Sequence, residues 1–301
     1  DRLLSRGLGD VYKRQVITPT NARQWLQCIS ALKLTNKLHH HLDLQEFFSG
    51  SSRLSFTCFK LGLRVGFPID HRYGWDTTLA DHQAVLDEIQ QTLGISVQYF
   101  SPRSSPWTKA NTTSKAESKG RARAEEQSTL QWVTKRCQQC LKDNKKSCYL
   151  LEVPNGSQLL TESAFKHIYQ DKRSKTSVAD QCVHGMIDID QKGFANRRTI
   201  SIIHHDINIG HETTRRCTGE SKCPLHAGVQ TTGLLLSAAA GNTSSVYPWS
   251  LCLSIANDIF HYTNDLDHRV FHAHDFWTCD RCKHGSKSVS YTHLTLPTKV
   301  T

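Results

Sequence analysis

The chain is short of long apolar stretches. Nowhere in its 301 residues does a hydrophobic run approach the ~20 residues that a membrane-spanning helix needs, and the N-terminal end lacks the apolar core of a secretory signal. A soluble intracellular protein, cytoplasmic or nuclear, is the expectation. Methionine is nearly missing: Met186 is the only one, and none begins the chain. No repeat of fixed period is visible, which excludes solenoids and propellers. A disulfide framework is missing too, although cysteine itself is not. The eleven cysteines are odd in number and irregularly spaced in a chain too long to need staples, so reduced thiols are expected.

What is present begins with charge and with two unusual ends. The formal net charge is +10, which suits phosphate neutralisation on nucleic acid and equally suits a merely solvated basic surface. The hydrophobic fraction of 38% and the mean hydropathy of −0.48 fit a rather polar globular protein. "DRLLSRGLGDVYKRQ" (1–15) and "SVSYTHLTLPTKVT" (288–301) resemble translated sequencing-adapter remnants and are set aside from fold reasoning. Residues 16–287 are then expected to be an internal fragment of something longer, with only slightly less positive charge.

Strand and helix patterns alternate along the middle of the chain. Residues 1–41 form an adapter-like and polar lead-in, expected to be poorly ordered apart from one possible helix at "ARQWLQCISALKL". Strands are expected at 42–48, 63–69, 95–100 and 148–153. Helical spacing of Leu54, Cys58 and Leu61, and of Leu79, Val85, Ile89 and Leu93, places helices between the first three. Gly94 ends the second helix. The Ser/Thr/Lys-rich stretch 109–128 is expected to be mobile. "STLQWVTKRCQQCLKDN" is helical, with Cys137 and Cys140 on a half-buried face. A helix near 157–169 and segments near 180–187 and 198–204 continue the alternation. The expectation is an α/β domain over 42–205 with a mostly parallel sheet and helices on both faces. A His/Cys-rich extension over 206–287 is appended to it, followed by the adapter-like tail.

The first strand, turn and helix carry the most chemistry: "LDLQEFFSGSSRLSFTCFKLGLRVGFPID" (42–70). A glycine in such a turn lets backbone approach a nucleotide-like cofactor, and an acid ending the next strand, Asp70, can accept two ribose hydroxyls. Two alternatives stay open. A phosphate-binding loop would want a following Gly-Lys-Ser/Thr, which is lacking, and an ordinary βα turn needs no ligand at all. If residues 49–53, 101–108 and 152–156 all follow neighbouring parallel strands, they meet at one edge of the sheet.

Together these stretches resemble the cytosine-5 DNA methyltransferases. "FFSGSSRLSFTCFKLGLRVGFPID" is similar to their cofactor loop, and "RSSPWT" falls where a Pro-Cys-x-x-Phe-Ser loop is due. "LLEVPNG" supplies the glutamate that ends the following strand. "ANRRTISI", with Arg197 and Arg198, resembles the arginine-bearing strand behind the catalytic loop. "CTGESKCPLHAG" and "VYPWSLCLSI" resemble a divergent methyltransferase-like group of retroelement-type polyproteins. The likeness spans about residues 42–258 and implies a class I methyltransferase, Rossmann-like fold. It implies S-adenosylmethionine as cofactor, contacted by Phe48, Gly50, Asp70 and Asp76, and DNA as partner. Ser104, Glu152 and Arg198 occupy the catalytic positions.

The departures from that pattern matter as much. In the family a loop thiolate attacks carbon 6 of a flipped cytosine, the glutamate steadies the ring at its protonated N3, and carbon 5 takes the methyl group. Here Ser104 stands at the cysteine, Arg103 at the stiffening proline, Trp107 at the phenylalanine and Thr108 at the serine. A serine hydroxyl is almost fully protonated at neutral pH and has no adjacent base to activate it. Ser52 and Arg53 replace glycines of the cofactor turn, where side chains can obstruct close approach. The expectation is a degenerate, catalytically inactive methyltransferase-like domain from a mobile-element-type polyprotein fragment, with S-adenosylmethionine binding weakened or lost. The alternatives are an active methyltransferase on another acceptor and a basic nucleic-acid-binding module. Cys217, Cys223, His226, Cys279 and Cys282 are ligand types for zinc, but incidental or buried thiols are the favoured reading and no metal is assigned. His39, His40 and His41 read as solvated polar sequence.

Overall fold

The structure, a computed structural model, describes residues 17–34, 41–107, 116–143, 147–186, 199–218 and 246–267. Its centre is set by three strands: β1 (Leu42–Phe47), β2 (Ile95–Phe100) and β3 (Cys148–Pro154). Every residue of β2, and nearly every residue of β1 and β3, is buried. Strands buried on both faces must be parallel neighbours covered by helices above and below. That is what forms: β1 pairs parallel with β2 and β2 parallel with β3, placing Phe47 opposite Phe100 and Phe100 opposite Leu151.

The sheet has five strands in the order β1-β2-β3-β5-β4. β5 (Thr199–His205) slots between β3 and β4 (Ser174–Asp180) and runs antiparallel to both. β4 therefore points the same way as the first three, and β5 alone is reversed. The expected α/β class with a mostly parallel sheet is thus observed.

Alternation of side chains across the sheet sorts the core into two layers. Phe47, Phe100, Tyr149 and Leu151 face α1 (Pro19–Leu34), α3 (Ala80–Leu93), α4 (Ala116–Lys142) and α5 (Ser163–Tyr169). Leu44, Val97, Tyr99 and Leu150 face α2 (Arg53–Lys60) and α6 (Trp249–Asp267). The lead-in therefore contributes to the domain: Ala22 and Leu26 of α1 are buried, and Trp75 Nε1 donates to the Ile17 carbonyl at 2.8 Å. The C-terminal extension likewise supplies a whole helix, with Leu251, Cys252, Ile255 and Ile259 in the core.

Several expectations need correction. Residues 63–69 form no continuous strand but touch β1 through two isolated bridges, Leu44–Val65 and Phe47–Ile69. Pro68 has no N–H to donate. The Gln45 side chain also inserts there, donating to the carbonyls of Glu46 and Phe67 and filling the space where Gly66 lacks a Cβ. Of the stretch 109–128, residues 116–128 are helical rather than mobile, and 109–115 lie outside the described residues. Ala, Glu, Lys and Arg are strong helix formers, so the charges make a solvated face, with Glu117 and Arg121 one turn apart. Cys137 and Cys140 are fully buried, not half-buried. β4 lay unrecognised in "SKTSVAD", because an edge strand with exposed Lys175 and Thr176 shows no apolar run.

Candidate functional site

From β1 the chain leaves through α2 to 63–69, which lies on one side of β1, and returns through α3 to β2, which lies on the other. Connections that diverge in this way open a crevice beyond the carboxyl ends of the two strands, where open α/β sheets take their ligands. The turn after β1, the segment 70–76 and the loop after β2 border that crevice.

The β1 turn alternates left-handed residues: Phe48 (φ 60°), Gly50 (φ 52°) and Ser52 (φ 54°). Only glycine takes this conformation without strain, so the other two must be held. The bracing is visible. The Ser49 amide donates to the Ile69 carbonyl at 3.1 Å, the Gly50 amide to Asp70 Oδ2 at 2.9 Å, and the Ser52 amide to the Ser49 carbonyl at 2.7 Å. The buried Ser52 hydroxyl donates to Ser49 Oγ and lies 3.2 Å from the Tyr73 hydroxyl. A Cβ built on Gly50 would meet no atom within 4 Å, so the space above the turn is open. Arg53 does not fill it: its Nη1 donates to the Tyr247 carbonyl at 2.8 Å and its guanidinium lies over the Trp249 ring.

The two acids of 70–76 differ in role. Asp70 bridges the turn, its other oxygen accepting from the Arg72 amide at 3.0 Å. Asp76 shapes the entry to α3. Its Oδ1 accepts from the Thr78 amide and hydroxyl, and its own amide donates to His82 Nδ1. Partial burial acts to raise the Asp76 carboxyl, but the Thr78 bonds and nearby His71 and His82 outweigh it, leaving it below its usual range.

Sequence reasoning missed Glu46. It lies on β1 only 2% exposed, and its Oε2 accepts from the Ser55 amide at 2.9 Å and the Ser55 hydroxyl at 2.5 Å, capping α2 from beneath. Burial lifts its carboxyl to about 7. The Ser55 bonds oppose the rise and the charge of Asp70 adds to it. A glutamate inside an otherwise buried strand was the available signal.

Beyond β2, the loop 101–107 is pinned by side chains. Trp107 is fully buried and its Nε1 donates to Glu162 Oε1 at 2.6 Å. Arg123 of α4 donates to the Pro106 carbonyl, and Arg103 reaches Glu126 of α4 at 3.3 Å. Ser104 is half-buried; its carbonyl accepts from the Trp107 amide, and no hydrogen bond reaches its hydroxyl among the described residues. Glu152, at the end of β3, stands at the same edge. Its Oε2 accepts from Ser101 Oγ at 3.1 Å and lies 2.7 Å from the Tyr247 hydroxyl, itself 2.9 Å from Ser101 Oγ. Tyr247 belongs to "VYPWSLCLSI", a stretch whose contact with the site only the packing reveals.

The expected meeting of 49–53, the loop after β2 and the end of β3 is therefore observed, with Gly50, Asp70, Ser104 and Glu152 at one edge. Thr108, Arg197 and Arg198 lie outside the described residues, as do Cys223, His226, Cys279 and Cys282. Cys217 packs on Cys182, and among the described residues no group of three or more His, Cys, Asp or Glu forms a metal cluster. His41 bonds to Ser96 Oγ. A shallow cavity of about 400 Å³ lies elsewhere, against Gly210, Asp258 and His261. Among the described residues no helix is long and apolar enough to cross a membrane. Acidic and basic side chains nearly balance there, so the positive excess lies in stretches outside them. No family model, curated protein or solved structure matches the chain.

Proposed function

We propose that the crevice between β1 and β2 is the cofactor site of a class I methyltransferase-like domain that takes S-adenosylmethionine, and that its catalytic loop has lost the nucleophile. The observation that carries this reading is the topological switch point bordered by a left-handed, open glycine turn. Bound there, S-adenosylmethionine would supply an electrophilic methyl group. The residues fit such a molecule. Gly50 leaves room for adenosine against the backbone, and each Asp70 oxygen accepts one amide and keeps capacity for a ribose hydroxyl.

The acceptor side is built but chemically blunt. Glu152 is buried and held by two hydroxyls, as a residue that positions a heterocycle requires. Ser104 sits at the neighbouring loop without a base to take its proton, so no attack on a cytosine ring starts there. DNA as the ancestral acceptor rests on the likeness of the loop, the glutamate and the cofactor turn.

Two measurements test the reading. Calorimetry with S-adenosylmethionine should show weak binding to the native chain that disappears in Asp70→Ala; binding unchanged by the substitution removes Asp70 from the site. DNA carrying 5-fluorocytosine should form no covalent adduct with the native chain. Ser104→Cys alone should rescue little, because small displacements from attack geometry cost on the order of a hundredfold. Adding Arg103→Pro should rescue more. A cofactor-dependent adduct from the native chain would overturn the loss of the nucleophile.

A further inference from the structure

We infer that the exposed face shared by α2 and the start of α6 is a stacking platform for an unpaired base of a single-stranded nucleic acid. Trp249, the first residue of α6, is 51% exposed, and Leu253, one turn on, is 47% exposed. The indole is nevertheless held in place. The Arg53 guanidinium lies 4.8 Å from its ring centroid, and Phe56 meets it edge-on at 5.9 Å. The Lys60 ammonium in turn lies 5.1 Å from the Phe56 ring. An aromatic ring with Arg53 against it and Lys60 over the neighbouring Phe56 suits a base, whose π-face stacks on the ring while the adjoining phosphates meet the charges.

The cations favour a polyanion over an apolar peptide. Arg64, Arg103, Arg136 and Arg173 each have a carboxylate partner. Arg53 and Lys60 have none among the described residues. Single-stranded nucleic acid is favoured over duplex because a flat ring in a shallow face stacks only on a base that is already unpaired. The platform also adjoins the crevice. Arg53 follows the β1 turn, and Tyr247, two residues before Trp249, reaches Glu152. Its own argument needs only Trp249, Phe56 and the two cations. It therefore deepens the methyltransferase-like reading on the acceptor side without depending on cofactor binding.

The test is fluorescence anisotropy of the full chain with a labelled single-stranded oligonucleotide of about twelve nucleotides and with its duplex, at about 0.15 M salt. Native protein should prefer the single strand. Trp249→Ala should weaken that binding about tenfold to a hundredfold and leave duplex binding unchanged. Trp249→Phe should keep most of the affinity, and Arg53→Gln should lower the slope of log affinity against log salt by about one contact. The inference fails if Trp249→Ala binds the single strand as the native chain does, or loses single strand and duplex equally. It also fails if sedimentation shows a native dimer that Trp249→Ala dissociates, which would assign the face to a second copy of this chain. Circular dichroism of each variant separates these results from unfolding, and calorimetry with S-adenosylmethionine reports separately on the cofactor site.

Discussion

The turn after β1 and the loop after β2 leave the same edge of the sheet, yet they are held by different means. The β1 turn is braced mostly through its own amides, which donate to Asp70, Ile69 and Ser49. Ser52 keeps the left-handed path there although it is not a glycine. The β2 loop is held by side chains arriving from α4 and from Glu162. Its shape follows from those anchors, while in the proposed reading its chemistry turns on one atom at residue 104. Geometry braced through backbone amides depends less on residue type than chemistry carried by a single side chain does.

The largest expected effect separates the two. Trp107→Ala removes a fully buried indole and its bond to Glu162, and should cost about 3–5 kcal/mol in urea unfolding. Amide exchange should then loosen 101–107 well before 48–53. Equal loosening of both would mean that the turn and the loop are one cooperative unit.

A second effect belongs to the β1 side alone. The Glu46 carboxyl is raised from 4.5 to about 7 in the folded state, so the fold binds its proton more tightly than the unfolded chain does. The associated stability is fully present below pH 4.5 and is lost as pH rises through about 7, by on the order of 3 kcal/mol. His204, lowered by burial to about 4, works in the opposite sense over part of that range. The difference between native chain and Glu46→Gln therefore isolates the glutamate. Parallel stability curves from pH 4.5 to 8 would show that Glu46 is not proton-linked to the fold.

The smallest effect probes strain. Ser52→Gly relieves a left-handed serine but loses its hydroxyl bonds to Ser49 and Tyr73, and should change stability by no more than about 1 kcal/mol. Ser52→Val, β-branched and without the hydroxyl, should lose more than either. A valine variant as stable as the native chain would show that the turn carries no strain there.

Much of the fold was legible because its signals are local. The buried runs at 42–47, 95–100 and 148–153 and the helical spacing of Val85, Ile89 and Leu93 act within a few residues, and the structure keeps them. The edges were not legible. Segment 63–69 is broken by Pro68 and by a side chain arriving from β1, and β4 is too polar to announce itself. In the site, Gly50 and Asp70 could be placed from order and spacing, and Ser104 and Glu152 only through the resemblance to a known family. Glu46 could have been noticed as an acid in a core strand, but its cap on Ser55 could not.

The sequence by itself determined the alternation of strands and helices, the glycine at 50 and the absence of a thiol at 104. Those are matters of residue type and short-range pattern, and folding does not alter them. Only the tertiary structure decided which strands are neighbours, how Phe48 and Ser52 bend, and that Tyr247 lies against a carboxylate 95 residues away. It also decided that Trp249 stays exposed while resting on Arg53. The reason is one of range: propensity and periodicity act over a turn or two of chain, whereas a contact across half the molecule forms only where packed layers bring distant segments together.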